Sequence, residues 1–468
     1  MSFTNFGVRT VHHEQPGVSF NFQEEARTTT PADTTVPLFA GYTKKDPESQ
    51  DPEFKCPKSP VLLNTFEDFT QVFGGFPLSG NPLVPLTQEA AFYYTVRHYF
   101  DNGGSACYGV SLGSYTDLPE GDDYYARQEI ADCITRIDWN HLLEQALDAT
   151  LLAVPDMVML SAPRYYQASD SGRLSNQEEQ SEDVDRWMSV WQKLLSTTQS
   201  HRQVFVVLDA PDNPKLVRQC LNGLASMDEA QRARGAVYWP RLQTNYYVDY
   251  DDGHQGIRRQ IVVPPSGAVV AAIGKIDRDR GIWKAPANIE LTQVIRPNYR
   301  NWRDVLLSEP PLFDENKISI NLIRSFVGRR VRVWGCRTLV APPFPDRWRY
   351  VQVRRTLTYI ETTLTNIGRY TMFEPNTPIT WTTLKSLARA WLRDLWLAGG
   401  LAGAQESDAF QVLLGLGESM TTEDIRSGRL ILIAKLAMQY PAEFIELRVL
   451  FQTSSDAVLT ESTEKATS

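Results

Sequence analysis

The sequence holds only six histidines in 468 residues, and its five cysteines show no CxxC spacing. A zinc site needs several nitrogen or sulfur ligands at close spacing. His12 and His13 stand side by side with no third ligand at useful distance, so no metal is expected. Cys56, Cys107, Cys133, Cys220 and Cys336 are scattered and odd in number, which reads as reduced structural thiols and not as a disulfide framework. No apolar run reaches the roughly 20 residues of a membrane-spanning helix, and the opening MSFTNFGVRTVHHE carries neither an apolar core nor a cleavage signature. The chain is therefore expected to be made in the cytoplasm without a signal peptide and not to insert into a membrane. Gly415-Leu416-Gly417 lacks the third glycine of a dinucleotide fingerprint, and no cofactor follows from it. No repeat of fixed period is present. A formal net charge of -9 argues against nucleic acid as the main partner.

What is present is an ordinary globular composition, 42% hydrophobic and 22% charged, in a chain long enough for two or three cores. Val36–Thr43 reads as a first strand, Phe66–Phe73 as a short helix ending at Gly74-Gly75, and Thr87–Phe100 as a longer helix closed by Asp101-Asn102-Gly103-Gly104. CYGVSL follows as a strand. The runs AVPDMVML and QVFVVLDAP read as strands buried on both faces, preceded by helical stretches at Trp139–Leu151 and Val184–Leu195. This alternation is the pattern of an α/β layer, and the fold class expected is α/β (mixed α+β) in more than one domain. The acidic stretch Ser169–Asp185 reads as an exposed loop, and residues 238–281 as loop-rich up to a helix at GAVVAAIGKIDRDRG. Residues 454–468 are expected to be disordered.

Two short amphipathic strands stand alone at the ends of the chain. Val18, Phe20 and Phe22 alternate with polar residues near the start, and Ile445, Leu447, Val449 and Phe451 alternate near the end. A lone strand with unpaired backbone groups is an aggregation hazard unless something pairs it, and an edge strand of another chain is the available partner.

Gly109-Val110-Ser111-Leu112-Gly113 fits the GxSxG pattern of a hydrolase nucleophile. That elbow needs a helix directly after the serine to help build the oxyanion site, whereas SYTDLPEGDD follows here and reads as a loop. Asp209 ends an apolar strand, the place where α/β folds put their sites, and His201 is its candidate partner. Without a phosphate loop or a second carboxylate, Asp209 reads better as a turn cap. An α/β enzyme of hydrolase type, with a site near Ser111 or Asp209, stands as the alternative reading of the chain.

Charge is segregated. From Arg324 to Arg355 there are nine arginines and a single acid, Asp346. Val331 and Val333 alternate with Arg330, Arg332 and Trp334, and Val351 and Val353 alternate with Tyr350, Gln352 and Arg354, which predicts two strands around a proline loop with a cationic face turned outward. Such a face could bind phosphates, be merely solvated, or meet an acidic surface on a neighbouring protein, for which the planar guanidinium is suited. Further on, Leu384, Leu387, Ala388, Trp391, Leu392 and Leu395 form the apolar stripe of a helix over Thr380–Gly399. Lys385, Arg389 and Arg393 fall on another side of it at i, i+4 and i+8. Like charges at this spacing cost about 0.2 to 0.5 kcal/mol per pair, so a use outside the helix is a candidate explanation beside simple solvation.

The motifs GIWKAPAN, ISINLIRSF, VWGCRTL, RWRYVQVRR, FEPNTPITW and YPAEFIEL follow one another between Gly281 and Leu447. In that order they resemble the contractile tail sheath proteins of phages and of phage-tail-like injection particles. PGVSF, VFGG and YFDNGGSACYGV are a fainter likeness at the start. The resemblance implies an N-terminal arm over 1–27, an outer α/β domain over 28–270, of which 117–263 carries no matching motif, and a C-terminal α/β domain near the tube over 271–453. It implies a structural subunit and not an enzyme, one that polymerises helically around an inner tube and contracts to drive the tube through a target envelope. The partners implied are copies of itself or sheath paralogues, the tube protein, and baseplate and terminator proteins, in a particle open to later release from the cell. Strands 18–22 and 445–451 would be exchanged between subunits, Arg330 and Arg332 would lie on an inter-subunit face, and Lys385, Arg389 and Arg393 would face the tube.

Overall fold

A computed structural model describes residues 34–52, 55–76, 91–115, 124–161, 177–251, 256–299, 317–341, 348–369, 371 and 373–441. The expected arm over 1–27, both terminal strands and the tail over 454–468 lie outside these residues.

The fold is mixed α/β, built on a nine-stranded sheet. Its strands are β1 (Pro37–Thr43), β2 (Val61–Leu63), β3 (Cys107–Ser114), β4 (Leu151–Ala153), β5 (Phe205–Asp209), β6 (Gly235–Trp239), β9 (Ile289–Glu290), β11 (Asn321–Phe326) and β12 (Arg329–Trp334). They lie in the order β2-β3-β1-β4-β5-β6-β11-β12-β9. Pairing is parallel from β3 through β11 and antiparallel at both margins. Central parallel strands are covered on both faces and so read as unbroken apolar runs; every residue of β1 and β5 is buried.

Because side chains alternate across a strand, the sheet feeds two cores. Leu38, Ala40, Val206, Leu208 and Val237 point to one face. There they meet α3 (Tyr124–Arg136), α4 (Trp139–Gln145), α5 (Gln177–Ser196) and α6 (Pro214–Gly223), which contribute Ile134, Trp139, Trp191 and Leu221. Phe39, Leu151, Val207 and Tyr238 point to the other face. They meet α1 (Phe66–Phe73), α2 (Ala91–Asp101), α7 (Ser266–Arg280) and the hairpin of β7 (Leu242–Asp251) and β8 (Gly256–Val263), which β10 (Val294–Pro297) extends to three strands. Gly267 allows α7 to lie against α2, since a Cβ there would stand 2.4 Å from the Thr95 carbonyl oxygen.

A second, smaller body follows. Helices α8 (Val351–Arg369) and α9 (Pro378–Leu397) pack on a two-stranded sheet of β13 (Phe410–Leu413) and β14 (Ile433–Leu436). Ile360, Ala388, Leu392, Leu395, Leu401, Phe410 and Val412 make its core, with Leu384, Leu414 and Met420 as a satellite.

Position 270 lies inside α7, whose residues share one core, and the sheet continues beyond that helix into β11 and β12. Several readings of single elements are corrected. Tyr350–Arg354 does not form a strand: from Val351 it is the first turn of α8. That turn is buried all round, from Val351 to Thr356, so it shows no helical stripe and its alternation was coincidental. In AVPDMVML the strand stops at Ala153, and Pro155–Leu160 is a 3₁₀ helix, Pro155 having no N–H for a ladder. The acidic stretch is helical from Gln177; acids suit a helix N-terminus. Residues 242–251 and 256–263 pair as two long antiparallel strands in place of the expected loops.

Candidate assembly surfaces

The arginine-rich stretch does not present one cationic face. Arg337, Arg354 and Arg355 are buried. Arg354 donates to Glu361 at 3.1 Å and its guanidinium lies 4.5 Å from the Trp348 ring centre. The outward part is the tip of the β11–β12 hairpin. Phe326 pairs with Arg329 across Val327-Gly328, where Gly328 has φ +72° and Val327 is fully exposed. Phe326 and Trp334 meet edge-on at 4.5 Å, and the Arg324 guanidinium lies 4.3 Å over Phe326. Arg330 and Arg332 share Glu290 of β9, each at 3.4 Å, and Arg332 also donates to the Asn288 carbonyl at 2.8 Å. Arg330 remains 71% exposed and Arg332 21%.

The three cations of α9 are on one side of the helix, and each has an acid facing it from the loops that follow. Lys385 lies 2.7 Å from Glu418, and Arg389 and Arg393 lie 2.6 and 3.6 Å from Glu406. The hydrogen bond from Lys385, with a second from the Leu414 N–H, holds the Glu418 carboxyl below the usual range. The stripe is therefore largely compensated within the subunit. Its partners are 33 and 17 residues away, too far in sequence for any spacing rule to find. Beside the stripe, the outward face of α9 carries exposed apolar side chains: Ile379 (80%), Leu387 and Leu397 (66%). Leu387, expected in the buried stripe, is among them.

The β13–β14 sheet pairs Phe410 with Leu436 and Leu413 with Ile433, and among the described residues no further strand pairs with either outer edge.

The enzyme candidates are embedded in the fold. Ser111 is buried within β3, its hydroxyl 2.6 Å from that of Thr43, in a strand and not at an elbow. Asp209 accepts from the Ser266 N–H at 2.9 Å and so caps the start of α7; burial raises its carboxyl to about 7. Asp156 is raised to about 7 by the same cause, although the Tyr42 and Phe92 N–H groups donate to it at 2.5 and 2.9 Å. Burial also lowers His201, which sits near Glu144 and Asn140. Among the described residues no group of three or more His, Cys, Asp or Glu is placed to hold a metal ion, and no helix is long and apolar enough to cross a membrane.

The phage tail sheath C-terminal domain family matches residues 345–452. A chain of the anti-feeding prophage (AFP) baseplate in its contracted state, solved by cryo-electron microscopy, is 33% identical over 93% of this chain and 98% of that one, with a TM-score of 0.69. The chain belongs to the contractile tail sheath family. The contracted sheath complex of an extracellular contractile injection system, PVC, is similar at 26% identity over 94% of this chain and 98% of that one, with a TM-score of 0.61. The contracted AFP helical sheath matches at 26% identity over 93% and 98%, with a TM-score of 0.59. No curated protein matches the sequence. As a member of the tail sheath family the protein is a structural sheath subunit and not an enzyme.

Proposed function

We propose that this subunit polymerises with copies of itself or close paralogues into a helical sheath on a baseplate, encloses an inner tube, and contracts to drive that tube through a target envelope. The observation that carries the reading is the two-stranded sheet of the C-terminal body. Its edges, which no other strand pairs among the described residues, would accept the amphipathic strands at Val18, Phe20, Phe22 and at Ile445, Leu447, Val449, Phe451 of neighbouring subunits. Each backbone hydrogen bond adds only about 0.5 to 1.5 kcal/mol net, but a helical lattice repeats the link at every subunit, and paired strands can stay joined while the bodies swing. Contacts of this heterologous kind build an open helix because the rotation between subunits does not close.

The hairpin tip with Arg330 and Arg332 is assigned to a neighbouring subunit, since exposed arginine beside aromatic rings is the composition of interface hot spots. The face of α9 that bears Lys385, Arg389 and Arg393 is assigned to the tube, with terminator and baseplate proteins at the sheath ends; nucleic acid and membrane are not partners. Synthesis in the cytoplasm, followed by release of a whole particle, fits this role. The test is deletion of Met1–Gln23 with the tube protein co-expressed. The shortened chain is expected to stay a monomer that melts cooperatively and to build no sheath in negative-stain images; normal sheaths from it would overturn the strand-exchange reading.

A further inference from the structure

Just ahead of β1, Thr34 and Thr35 are gripped by a buried ion pair drawn from two distant helices. Arg355, in the first turn of α8, meets Asp277 of α7 through two nitrogens, Nη2 to Oδ2 at 2.7 Å and Nη1 to Oδ1 at 3.1 Å. The same Nη2 donates to the Thr34 carbonyl at 2.9 Å and reaches the Thr35 hydroxyl at 3.2 Å. The Thr34 and Thr35 hydroxyls donate to Asp277 Oδ2 at 2.7 and 2.6 Å. Both charged side chains are almost wholly buried, at 4% and 3% exposure. The fit is close, since a Cβ on Gly274, one turn earlier in α7, would stand 3.1 Å from the Thr35 methyl. Thr150 adds a second tie, accepting from the Val36 N–H and donating to the Thr34 carbonyl, each at 2.9 Å.

Three stretches thus meet at one point: the chain ahead of the sheet, the central helix α7, and the helix that begins the C-terminal body. A buried ion pair is seldom the most stabilising way to fill such a space, because desolvation offsets the attraction. It does fix geometry, through two-pronged bonding with no free rotation. We propose that Asp277 and Arg355 are positioning residues for assembly: they set where and in which direction the chain ahead of Thr34 leaves the subunit, and tie that point to the body that accepts neighbouring strands. Donor and acceptor are then held in one relation in every subunit, and pull on the arm is passed to α7 and α8 instead of unzipping β1. This rests on the reading that residues 18–22 are given to a neighbour.

The test uses two variants of the full chain. Asp277→Leu with Arg355→Met removes both charges at similar volume, and Arg355→Lys keeps the charge but cannot serve Asp277 and Thr34 together. Both are expected to melt within a few degrees of the wild type, while sheath yield with the tube protein falls about tenfold for the double variant and less for lysine. Amide exchange should quicken at Val36 and Leu38 and stay unchanged in β5. Wild-type sheath yield from both variants would overturn the proposal, as would exchange that rises equally in β5, which would mark a merely stabilising pair. If the double variant does not fold, the lysine variant alone decides. If the Met1–Gln23 deletion also assembles, the strand-exchange reading falls; if the deletion fails to assemble while both clamp variants succeed, only the clamp does.

Discussion

The sheet body and the C-terminal body solve the problem of sheet edges in opposite ways. In the nine-stranded sheet the margins are β2, of three residues, and β9, of two, so little backbone is left unpaired for another chain to find. One of its two cores encloses Trp139, Trp187, Trp191 and Trp239 almost completely. Among the described residues the C-terminal body has two strands of four residues, a small core, and apolar side chains such as Ile379 and Leu397 left in the open. A two-stranded sheet is marginal by itself in water. On the strand-exchange reading proposed above, one body is finished within the chain and the other is completed by neighbours. In a sheath this places stability where the subunit must survive alone and leaves pairing capacity where it must join.

The largest expected effect sharpens this contrast. Trp191, edge-on to Trp187 at 5.9 Å, cut to alanine should cost the sheet body about 3 to 5 kcal/mol. The cut Leu392→Ala should cost about 2 to 4 kcal/mol but be felt only in α8, α9 and the β13–β14 sheet. Urea unfolding followed by amide exchange distinguishes them; a single transition that moves equally for both variants would mean the two bodies are one cooperative unit.

The bodies should also answer pH oppositely. In the sheet body Asp156 and Asp209 have folded values near 7, above the unfolded value of about 3.9. Between these limits the folded state holds the proton and the unfolded state does not, so their contribution worsens as pH rises from 4 to 7 and is most unfavourable above 7. In the C-terminal body Glu418 and Asp424 are held below their ordinary values, chiefly by hydrogen bonds from Lys385 and Thr421. Their contribution is present above the unfolded value and is lost as pH falls through the folded one. Acidification from 8 to 5 should therefore firm the sheet body first, and only lower pH should loosen the loops after α9. Asp209→Asn keeps an oxygen for the Ser266 N–H and removes the charge, and should raise stability at pH 8 by about 1 to 3 kcal/mol while flattening the slope between 4 and 7. An unchanged slope would show that Asp209 is not one of its sources.

Legibility followed the same division. β1, β5, α7 and α9 were readable because each is a long apolar run or stripe with a capping or glycine signal at its end. The family was readable from motifs in register. Alternation alone predicts a strand at Tyr350–Arg354, because a helical turn buried on all sides has no polar face to mark its period. The cationic stripe of α9 was visible, but not its neutralisation by Glu406 and Glu418, since those pairs are made by the fold and not by spacing. The clamp of Arg355 on Asp277 joins residues 78 apart, and nothing local announces it.

Reversal of Arg330 at the hairpin tip is expected to be nearly silent in the monomer. Arg330 is 71% exposed, so Arg330→Glu should cost about 0 to 1 kcal/mol, whereas Arg332, 21% exposed and bonded to the Asn288 carbonyl, should cost more when reversed. Sheath yield should nevertheless fall if a neighbour reads this tip. Loss of monomer stability with normal assembly would return the hairpin to the finished body.

The smallest monomer effect is expected on α9, where the contrast between the bodies is tested most finely. Because Lys385, Arg389 and Arg393 already face Glu418 and Glu406, reversing them would both break these pairs and alter the face assigned to the tube, and the two effects would be confounded. Removing the acid side separates them. Glu406→Gln leaves Arg389 and Arg393 charged and unpaired, and should cost the monomer only about 0.2 to 1 kcal/mol, since both arginines are more than half exposed. If these arginines meet an acidic tube, freeing them should strengthen sheath–tube association and make it more salt-sensitive, because the screened contact is now between uncompensated charges. If they serve only to hold the loop after α9, the same variant should loosen that loop in amide exchange and leave tube binding and its salt dependence as they were. The cations would then belong to the internal framework of the C-terminal body, and Ile379, Leu387 and Leu397 would be left as the part of the helix offered outward.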